Sequence, residues 1–510
     1  MALAAGRSGA QQTGDVLILG GRVVDGTGTP ERIADVLVSG DRIAFMGDAK
    51  RAGVTAKRTL NASGLVVVPG FIDPHTHTFE DLSSGDITKR RNLPYLAQGV
   101  TTVLTGNDGG GPVDVAASLA RWTREGIGTN AALFVGFGSV RSAVLGASGA
   151  PATPAQVERM RGMVRSGMES GAVGMSAGLY YAPQSYASTE EVIGVARDVG
   201  ALGGVYDTHL RDESSYSIGL LAAIREALRI GRETGAAVNI SHIKALGVDV
   251  WGRSDSAIGV IQAARSAGQR VSADQYPYTA SGSSVGASLL PRWAESGGRD
   301  SLRMRLSDAA TRQRVVADME ANLRRRGGAA SLLITDHDAR GLGGLRLNEV
   351  AERTKKTPID AAIDIVLSGD ASVASFNMND DDIRRFMQAD FTMTGSDGSD
   401  GHPRKYGTFP KKYHEYVTGA GLLSLSAFVH RSSQMAAEVF GLKDRGVLAV
   451  GSFADVVVFD PAAFTDRSTY EAPQRLATGV RYALVNGRLA IDGGAFTNVL
   501  AGRALRREAR

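Results

Sequence analysis

Histidines and an aspartate stand at the ends of apolar, strand-like segments in this chain of 510 residues. His75 and His77 form an HxH pair, and side chains two residues apart on a strand point to the same side. Single histidines follow in "THL" (His209) and "SHIK" (His242), and Asp397 follows in "TGSDG". Imidazoles and carboxylates are the ligand types that bind transition metals, Zn²⁺ above all, with Mn, Co or Fe as alternatives.

A structural role is the alternative for each of these residues. An isolated HxH pair is as typical of a surface or a core as of a metal site, and Asp397 would then be only a turn residue in "SDG". However, four of the eight histidines fall at strand ends. Core histidines would have to be placed there independently of one another, so the pattern favours a metal site.

The stretch "VLTGNDGGG", residues 103–111, ends an apolar run on Asn107, Asp108 and three glycines. A turn is the ordinary interpretation, because Asn, Asp and Gly supply the backbone angles and local hydrogen bonds of turns. A carboxylate at the tip of a buried strand is also placed to reach the histidines. The pattern by itself leaves both interpretations of Asp108 open.

Eight apolar segments in the middle of the chain alternate with helical periodicity, which is typical of a parallel sheet covered by helices. They are GLVVVPGFIDPHTH, GVTTVLTGND, AALFVGFG, GAVGMSAGL, GGVYDTHL, AAVNISHIK, QRVSADQYPY and FTMTGSDG. Eight such units predict an α/β fold, a (β/α)8 TIM barrel, whose active site lies at the carboxyl ends of the strands. A long insertion, about residues 281–390, separates the last two segments and contains a strand-like "SLLITDHD".

The two ends of the chain share a different pattern of short β-branched runs broken by Gly and Asp turns. "VNGRLAIDGG" near the carboxyl end contains Asn-Gly, a strong hairpin signal. We therefore expect one small β-sandwich domain built from residues 14–69 and 446–510. The metal-dependent barrel then spans residues 70–445.

The composition argues against thiolate metal sites, nucleic-acid binding and membrane spans. Without cysteine, the chain must hold any metal with His and carboxylate side chains. The net charge of +4 is small and the basic residues are scattered, which argues against nucleic-acid binding. No apolar run approaches the ~20 residues of a membrane span. We expect a cytoplasmic protein with no membrane partner; a periplasmic or secreted protein whose signal has been removed is the alternative, and no pattern specifies an oligomeric state.

The order of these ligands along the chain resembles the amidohydrolase superfamily, and several motifs are similar to its D-aminoacylases, the N-acyl-D-amino-acid deacylases. Those motifs are GFIDPHTH, GMSAGLYYAP, THLRDE, NISHIKALG, DQYPYTASG and SDGSDGHPRKYGTFP, and the resemblance spans nearly the whole chain. The resemblance implies a hydrolase of linear amides with one or two Zn²⁺ ions. It also implies that Asp397 is both a metal ligand and the catalytic base, which accepts a water proton and passes it to the leaving amine.

The resemblance also bears on Asp108. Many two-metal amidohydrolases bridge their metals with a carbamylated lysine on strand four, but "GAVGMSAGLYY" contains no lysine. D-aminoacylases use a cysteine at the end of strand two, and Asp108 stands in its place. The resemblance therefore implies that Asp108 is a metal ligand. A hard oxygen in place of a soft thiolate should weaken zinc retention or broaden the choice of metal.

The implied substrate is a small molecule with a free carboxylate, so its pocket needs fixed cations. Lys244 should point the same way as the histidine two residues before it, and Arg404 can grip a carboxylate through two N–H groups. Tyr276 and Ser283 are candidate hydroxyl donors. We predict hydrolysis of N-acyl-D-amino acids to a carboxylate and a free D-amino acid. A dipeptidase for peptides with a C-terminal D-residue and a dihydropyrimidinase-like cyclic amidase are the alternatives.

Overall fold

The structure, a computed structural model, describes residues 12–335 and 341–507. Its amino-terminal strands are β1 (Thr13–Val23), β2 (Arg32–Ser39), β3 (Arg42–Gly47), β4 (Thr55–Asn61) and β5 (Val66–Pro69). β1 pairs with β2 in antiparallel orientation and with β4 and β5 in parallel orientation. Alternate β-branched residues of these strands, among them Val16, Ile18 and Val36, pack into one buried cluster.

The middle of the chain alternates buried strands with helices. The strands are β6 (Phe71–Thr76), β7 (Val100–Thr105), β8 (Asn130–Leu133), β9 (Val135–Gly136), β10 (Gly174–Gly178), β11 (Val205–His209), β12 (Ala237–Ile240) and β13 (Val271–Gln275). The helices are α1 (Phe79–Leu82), α2 (Ile87–Arg90), α3 (Leu93–Leu96), α4 (Val115–Glu125), α5 (Phe137–Leu145), α6 (Pro154–Glu169), α7 (Thr189–Ala196), α8 (Leu220–Thr234) and α9 (Ser254–Ser266). Both faces of the strands are covered, which is why they read as continuous apolar runs.

An insertion with its own hydrophobic core follows β13. It contains β14 (Ala280–Ser284), β15 (Leu332–Ile334) and β16 (Ser372–Phe376), which form an antiparallel sheet in the order β14-β16-β15. Its helices are α10 (Val285–Leu289), α11 (Arg292–Glu295), α12 (Gly298–Ser307), α13 (Ala309–Arg325), α14 (Leu347–Thr354), α15 (Pro358–Leu367) and α16 (Asp380–Gln388). The predicted strand in "SLLITDHD" corresponds to β15, and residues 336–338 of that motif lie outside the described residues.

Parallel pairing resumes after the insertion with β17 (Thr392–Thr394), which pairs with β13. One parallel sheet therefore runs β9-β10-β11-β12-β13-β17, and a second runs β6-β7-β8. The sheets approach each other at both ends, because β8 and β9 flank Phe134 and because Thr76 bridges Gly398 in parallel orientation. Each of the eight predicted segments contributes a strand to this arrangement.

The carboxyl-terminal part begins with α17 (Arg404–Lys411), a π-helix (Lys412–Gly419), α18 (Leu425–Arg431) and α19 (Gln434–Phe440). The strands β18 (Val456–Phe459), β19 (Val480–Val485), β20 (Arg488–Asp492) and β21 (Ala495–Phe496) complete it. β18 pairs with β5, so the two ends of the chain share one nine-stranded sheet. No helix of the described residues is both long and apolar enough to cross a membrane.

The first predicted segment is divided between two sheets. β5 belongs to the nine-stranded sheet and β6 to the parallel strands. Gly70 separates them, and a Cβ atom there would lie 2.1 Å from the Thr101 hydroxyl oxygen. The chain can therefore cross between the sheets only because this position lacks a side chain.

Candidate active site

Four side chains from four strand ends meet at one edge of the parallel strands. His75 lies near the end of β6, while Asp108, His242 and Asp397 follow β7, β12 and β17. One nitrogen or carboxylate oxygen of each lies within 4.8 Å of the others. His75 Nε2 is 3.6 Å from both Asp108 Oδ1 and Asp397 Oδ1. His242 Nε2 is 3.5 Å from Asp108 Oδ1. The fold thus assembles residues that lie far apart in the sequence.

The backbone aims three of these side chains into the site. Asp108, His242 and Asp397 have φ angles of 55°, 37° and 49°, in the left-handed region that non-glycine residues seldom adopt. The surrounding contacts hold them there; for example, the Asp397 N–H donates to the His75 carbonyl at 2.9 Å. Strained backbone of this kind is concentrated at functional sites. Asp108 therefore does occupy a turn, and that turn directs its carboxylate at the histidines.

His77 approaches the same carboxylates from the open side. Its Nε2 is 3.0 Å from Asp397 Oδ1 and 3.5 Å from Asp108 Oδ2. The side chain of His77 is 36% exposed, whereas that of His75 is fully buried. The HxH pair consequently places one buried and one accessible imidazole beside the same two acids.

A second group of potential ligands overlaps the first at His242. His209, at the end of β11, places Nδ1 2.9 Å from His242 Nε2, and Glu213 Oε1 is 3.2 Å from His242 Nδ1. These three residues also offer ligand atoms within 4.8 Å of one another. Glu213 was not among the ligands predicted from the sequence, although its position four residues after His209 in "THLRDE" is a signal that could have indicated it.

The first group contains buried polar atoms without partners. Three atoms are buried and make no hydrogen bond with any of the described residues: the two ring nitrogens of His75 and Oδ1 of Asp108. Buried polar atoms are costly unless something satisfies them. Because imidazole nitrogens and carboxylate oxygens converge here, the donor set fits a divalent transition metal.

Protonation states follow from the short distances. Burial alone would lower the pKa of His75, but Asp108, followed by Asp397, raises it to about 10. Burial opposes ionisation of Asp108, yet the neighbouring histidines hold its pKa well below the ordinary value. Burial lowers the pKa of His209 to about 4, so this imidazole is neutral near pH 7. Asp108 is therefore an ionised carboxylate and His209 a neutral imidazole, the forms that bind metals, whereas His75 would release its proton when a metal binds.

A buried polar network lies beneath the cluster. Asp274 Oδ1 accepts the His242 N–H at 2.9 Å, and its Oδ2 accepts from Asn239 Nδ2 at 2.8 Å. Asp207 accepts from Asn239 at 2.8 Å and from Asn107 at 3.0 Å. These partners fix the strand ends that carry the candidate ligands, as the residues around metal ligands do in metal sites. This network was not predicted from the sequence, because inward-pointing polar residues within short strands give no distinctive pattern.

A cavity of about 420 Å³ opens above the cluster. All four predicted substrate-binding residues, Lys244, Tyr276, Ser283 and Arg404, line it together with His77. Ser283 belongs to β14 of the insertion, so the insertion supplies part of the wall. Lys244 Nζ lies 2.7 Å from a carboxylate oxygen of Glu213, also in the wall.

Arg404 and Tyr276 present unused donors to this cavity. Arg404 Nη1 lies 2.7 Å from Asp397 Oδ2, and the guanidinium carbon is 4.9 Å from the centre of the Tyr276 ring. Nevertheless Nε and Nη1 of Arg404 make no aligned hydrogen bond, and the buried Tyr276 hydroxyl has no partner in the described residues. Such groups can bind a carboxylate without first breaking an aligned hydrogen bond.

Comparison with known proteins identifies the family. Residues 58–491 match the amidohydrolase family. This chain belongs to that family. The D-aminoacylase of Alcaligenes xylosoxydans xylosoxydans is 36% identical over 97% of this chain and 98% of its own.

Solved structures of related deacylases share the fold of this chain over nearly its full length. A crystal structure of D-aminoacylase is 35% identical, with a TM-score of 0.83 over 97% of this chain and 100% of that chain. A second solved structure is that of an N-acyl-D-glutamate deacylase from Bordetella bronchiseptica, complexed with zinc and a phosphonate inhibitor. It is 31% identical, with a TM-score of 0.82 over 97% of this chain and 100% of that chain. The resemblance drawn from the sequence motifs is confirmed.

Proposed function

We propose that this amidohydrolase is a metal-dependent deacylase that hydrolyses the amide bond of N-acyl-D-amino acids, releasing a carboxylate and a free D-amino acid. The observation that carries the proposal is the group of His75, Asp108, His242 and Asp397 at the base of a cavity whose wall holds the cations Lys244 and Arg404. The relative most relevant to it is a D-aminoacylase that matches nearly the full chain.

The proposed metal is zinc, bound as one or two ions by His75, His77, Asp108, His209, His242 and Asp397, with other divalent transition metals as substitutes. When bound, such a metal supplies Lewis-acid chemistry: it polarises an amide carbonyl and lowers the pKa of a water molecule. The fit rests on the unsatisfied buried atoms of His75 and Asp108.

Asp397 is the proposed catalytic base. Burial alone would raise its pKa, but Arg404, followed by His242, holds the pKa far below the ordinary value, so the carboxylate is ionised. An ionised oxygen at this position can take the proton of the attacking water and later deliver it to the leaving nitrogen. Its proximity to His77, 3.0 Å away, fixes its orientation toward the cavity.

The proposed anchor for the substrate's α-carboxylate is formed by Arg404, Lys244, Tyr276 and Ser283. Lys244 and Arg404 supply opposite charge, and the Tyr276 hydroxyl and the Arg404 nitrogens that make no aligned hydrogen bond supply direction. A planar guanidinium can donate two parallel N–H groups to one carboxylate. The proposed partner is therefore a small molecule with a free carboxylate.

We infer that the parallel strands close into a (β/α)8 barrel spanning residues 70–445, interrupted by the insertion at about 281–390. The Thr76–Gly398 bridge and the single residue between β8 and β9 support closure. The shared nine-stranded sheet supports a small β-sandwich domain from residues 14–69 and 446–510. A closed barrel gathers all the strand ends at one face, which is what this site requires.

The test is a substrate-class comparison with zinc-loaded protein. We expect hydrolysis of N-acetyl-D-amino acids, slower hydrolysis of dipeptides that end in a D-residue, and none of dihydrouracil or hydantoin. Asp397→Asn, loaded with zinc to the same level, is the matched control and should be nearly inactive on all of them. Preferred turnover of the cyclic amides would replace the proposal with a cyclic amidase, and preferred turnover of the dipeptides would replace it with a dipeptidase.

A further inference from the structure

The cavity wall contains a third cation, Arg326, which the proposed mechanism does not use. Arg326 follows α13 in the insertion and is only 2% exposed. The other two lining cations have acidic neighbours: Lys244 pairs with Glu213, and Arg404 with Asp397. Among the described residues, no carboxylate forms an ion pair with Arg326. A buried charge without a countercharge is costly, so a ligand that brings one would be favoured.

The hydrogen bonds of Arg326 leave donors free. Its Nε donates to the Ser288 carbonyl at 3.1 Å and its Nη2 to the Tyr180 hydroxyl at 3.3 Å. In the orientation of the Asn377 amide in which its nitrogen finds an acceptor and its oxygen finds donors, Arg326 Nη1 donates to the Asn377 oxygen at 3.2 Å. A guanidinium has five N–H groups. Subtracting these three leaves two N–H groups, one on each terminal nitrogen, that are available to a carboxylate.

A second unpartnered donor lies in the same wall. The Tyr216 hydroxyl is buried and makes no hydrogen bond within the described residues, and the Arg326 guanidinium carbon is 5.8 Å from the centre of the Tyr216 ring. Both residues line the cavity above the cluster. They contact Tyr180, whereas Arg404 and Lys244 lie near the Tyr276 ring, so two separate cationic groups line one cavity.

We infer that Arg326 and Tyr216 form a second anion subsite, and that the preferred substrate carries a second carboxylate in addition to its α-carboxylate. This inference rests on the proposed deacylase function. The second carboxylate belongs either to the D-amino-acid side chain or to the acyl group, since both sources offer the same chemistry to a guanidinium. A neutral substrate would leave Arg326 buried without a countercharge and would be hydrolysed less efficiently.

The experiment compares kcat/KM for matched pairs on the zinc-loaded protein. N-acetyl-D-glutamate against N-acetyl-D-glutamine tests the side chain, and N-succinyl-D-methionine against N-acetyl-D-methionine tests the acyl group. We expect the dianionic member of one pair to be preferred by roughly 10- to 100-fold, the range for a hydrogen bond to a charged group. Arg326→Gln should reduce that preference at least tenfold. Arg324→Gln, which alters an exposed arginine two residues away, should leave the preference unchanged.

The inference is overturned if neither dianion is preferred, or if Arg326→Gln lowers both members of a pair equally, as a purely structural residue would. Should Arg326→Gln fail to fold, Tyr216→Phe replaces it and should reduce the same preference. Binding of the four compounds to Asp397→Asn, measured by calorimetry, separates the two proposals. Tighter binding of a dianion without turnover by the parent would retain the subsite and reject the deacylase.

Discussion

Asp108→Asn isolates the contribution of one carboxylate to metal binding. Asp108 has φ of 55°, and Asn tolerates this left-handed conformation, so the turn should survive the change. Only the negative charge and one acceptor are lost. Asp108→Ala would instead combine the loss of a ligand with backbone strain.

The size of the effect follows from the distances in the cluster. Asp108 Oδ1 lies 3.5 Å from His242 Nε2, and a unit charge on an ion held at that distance from the carboxylate would be attracted to it by about 5 kcal/mol at an effective dielectric of 20. Desolvation offsets more than half of such an attraction in a buried site. A net loss of about 2 kcal/mol corresponds to roughly 30-fold weaker binding of zinc.

Competition against a chromogenic zinc chelator measures this change directly. Asp400→Asn is the control, because Asp400 also lines the cavity but pairs with Lys405 rather than with the histidines. It should alter the dissociation constant less than threefold. Asp108→Cys should bind zinc at least as tightly as the parent, because a thiolate suits zinc. A dissociation constant for Asp108→Asn within threefold of the parent would refute the ligand role.

Three further predictions concern catalysis, recognition and stability. Asp397→Asn should lower kcat by roughly 100- to 10,000-fold at matched zinc content; an unchanged kcat would contradict its role as base. Arg404→Lys should mainly raise KM, because an ammonium point charge replaces a planar guanidinium that can donate to both carboxylate oxygens. Steady-state kinetics that show a fall in kcat alone would reject the carboxylate anchor. Burial, followed by Arg431, lowers the pKa of Lys412 to about 7. The unfolded chain, with its ordinary lysine pKa, binds this proton more tightly, so the contribution of Lys412 to unfolding free energy should rise by about 2 kcal/mol from pH 7 to 9. Lys412→Met should lack that rise in urea titrations at the two pH values.

Much of the candidate metal site could be predicted from the sequence, because strand ends in a parallel α/β fold converge. The residues His75, His77, His209, His242 and Asp397 were selected from their position after apolar segments, and the structure brings them together. Only the family resemblance gave Asp108 a ligand role, since the local pattern of glycines indicates a turn, and the structure shows a turn that also faces the site.

Features that depend on contacts between distant segments were not predictable. Arg326 lies in "NLRRRGG", where a run of arginines reads as an exposed helix face. It is buried because the end of α13 packs against Ser288 and Tyr180. The split of the first predicted segment at Gly70 likewise depends on Thr101, which belongs to another strand. Local periodicity does not encode either contact.

The most direct test of the account is the hydrolysis of N-acetyl-D-methionine and N-acetyl-L-methionine by the zinc-loaded protein, with N-acetyl-D-glutamate and N-acetyl-L-glutamate measured beside them. Release of the free amino acid is followed at equal zinc content for the parent and for His209→Ala/His242→Ala. The account predicts that at least one D-enantiomer is hydrolysed, that its L-enantiomer is not, and that the double variant loses zinc and activity together. Equal hydrolysis of the enantiomers, or activity that survives the loss of both histidines, would contradict it.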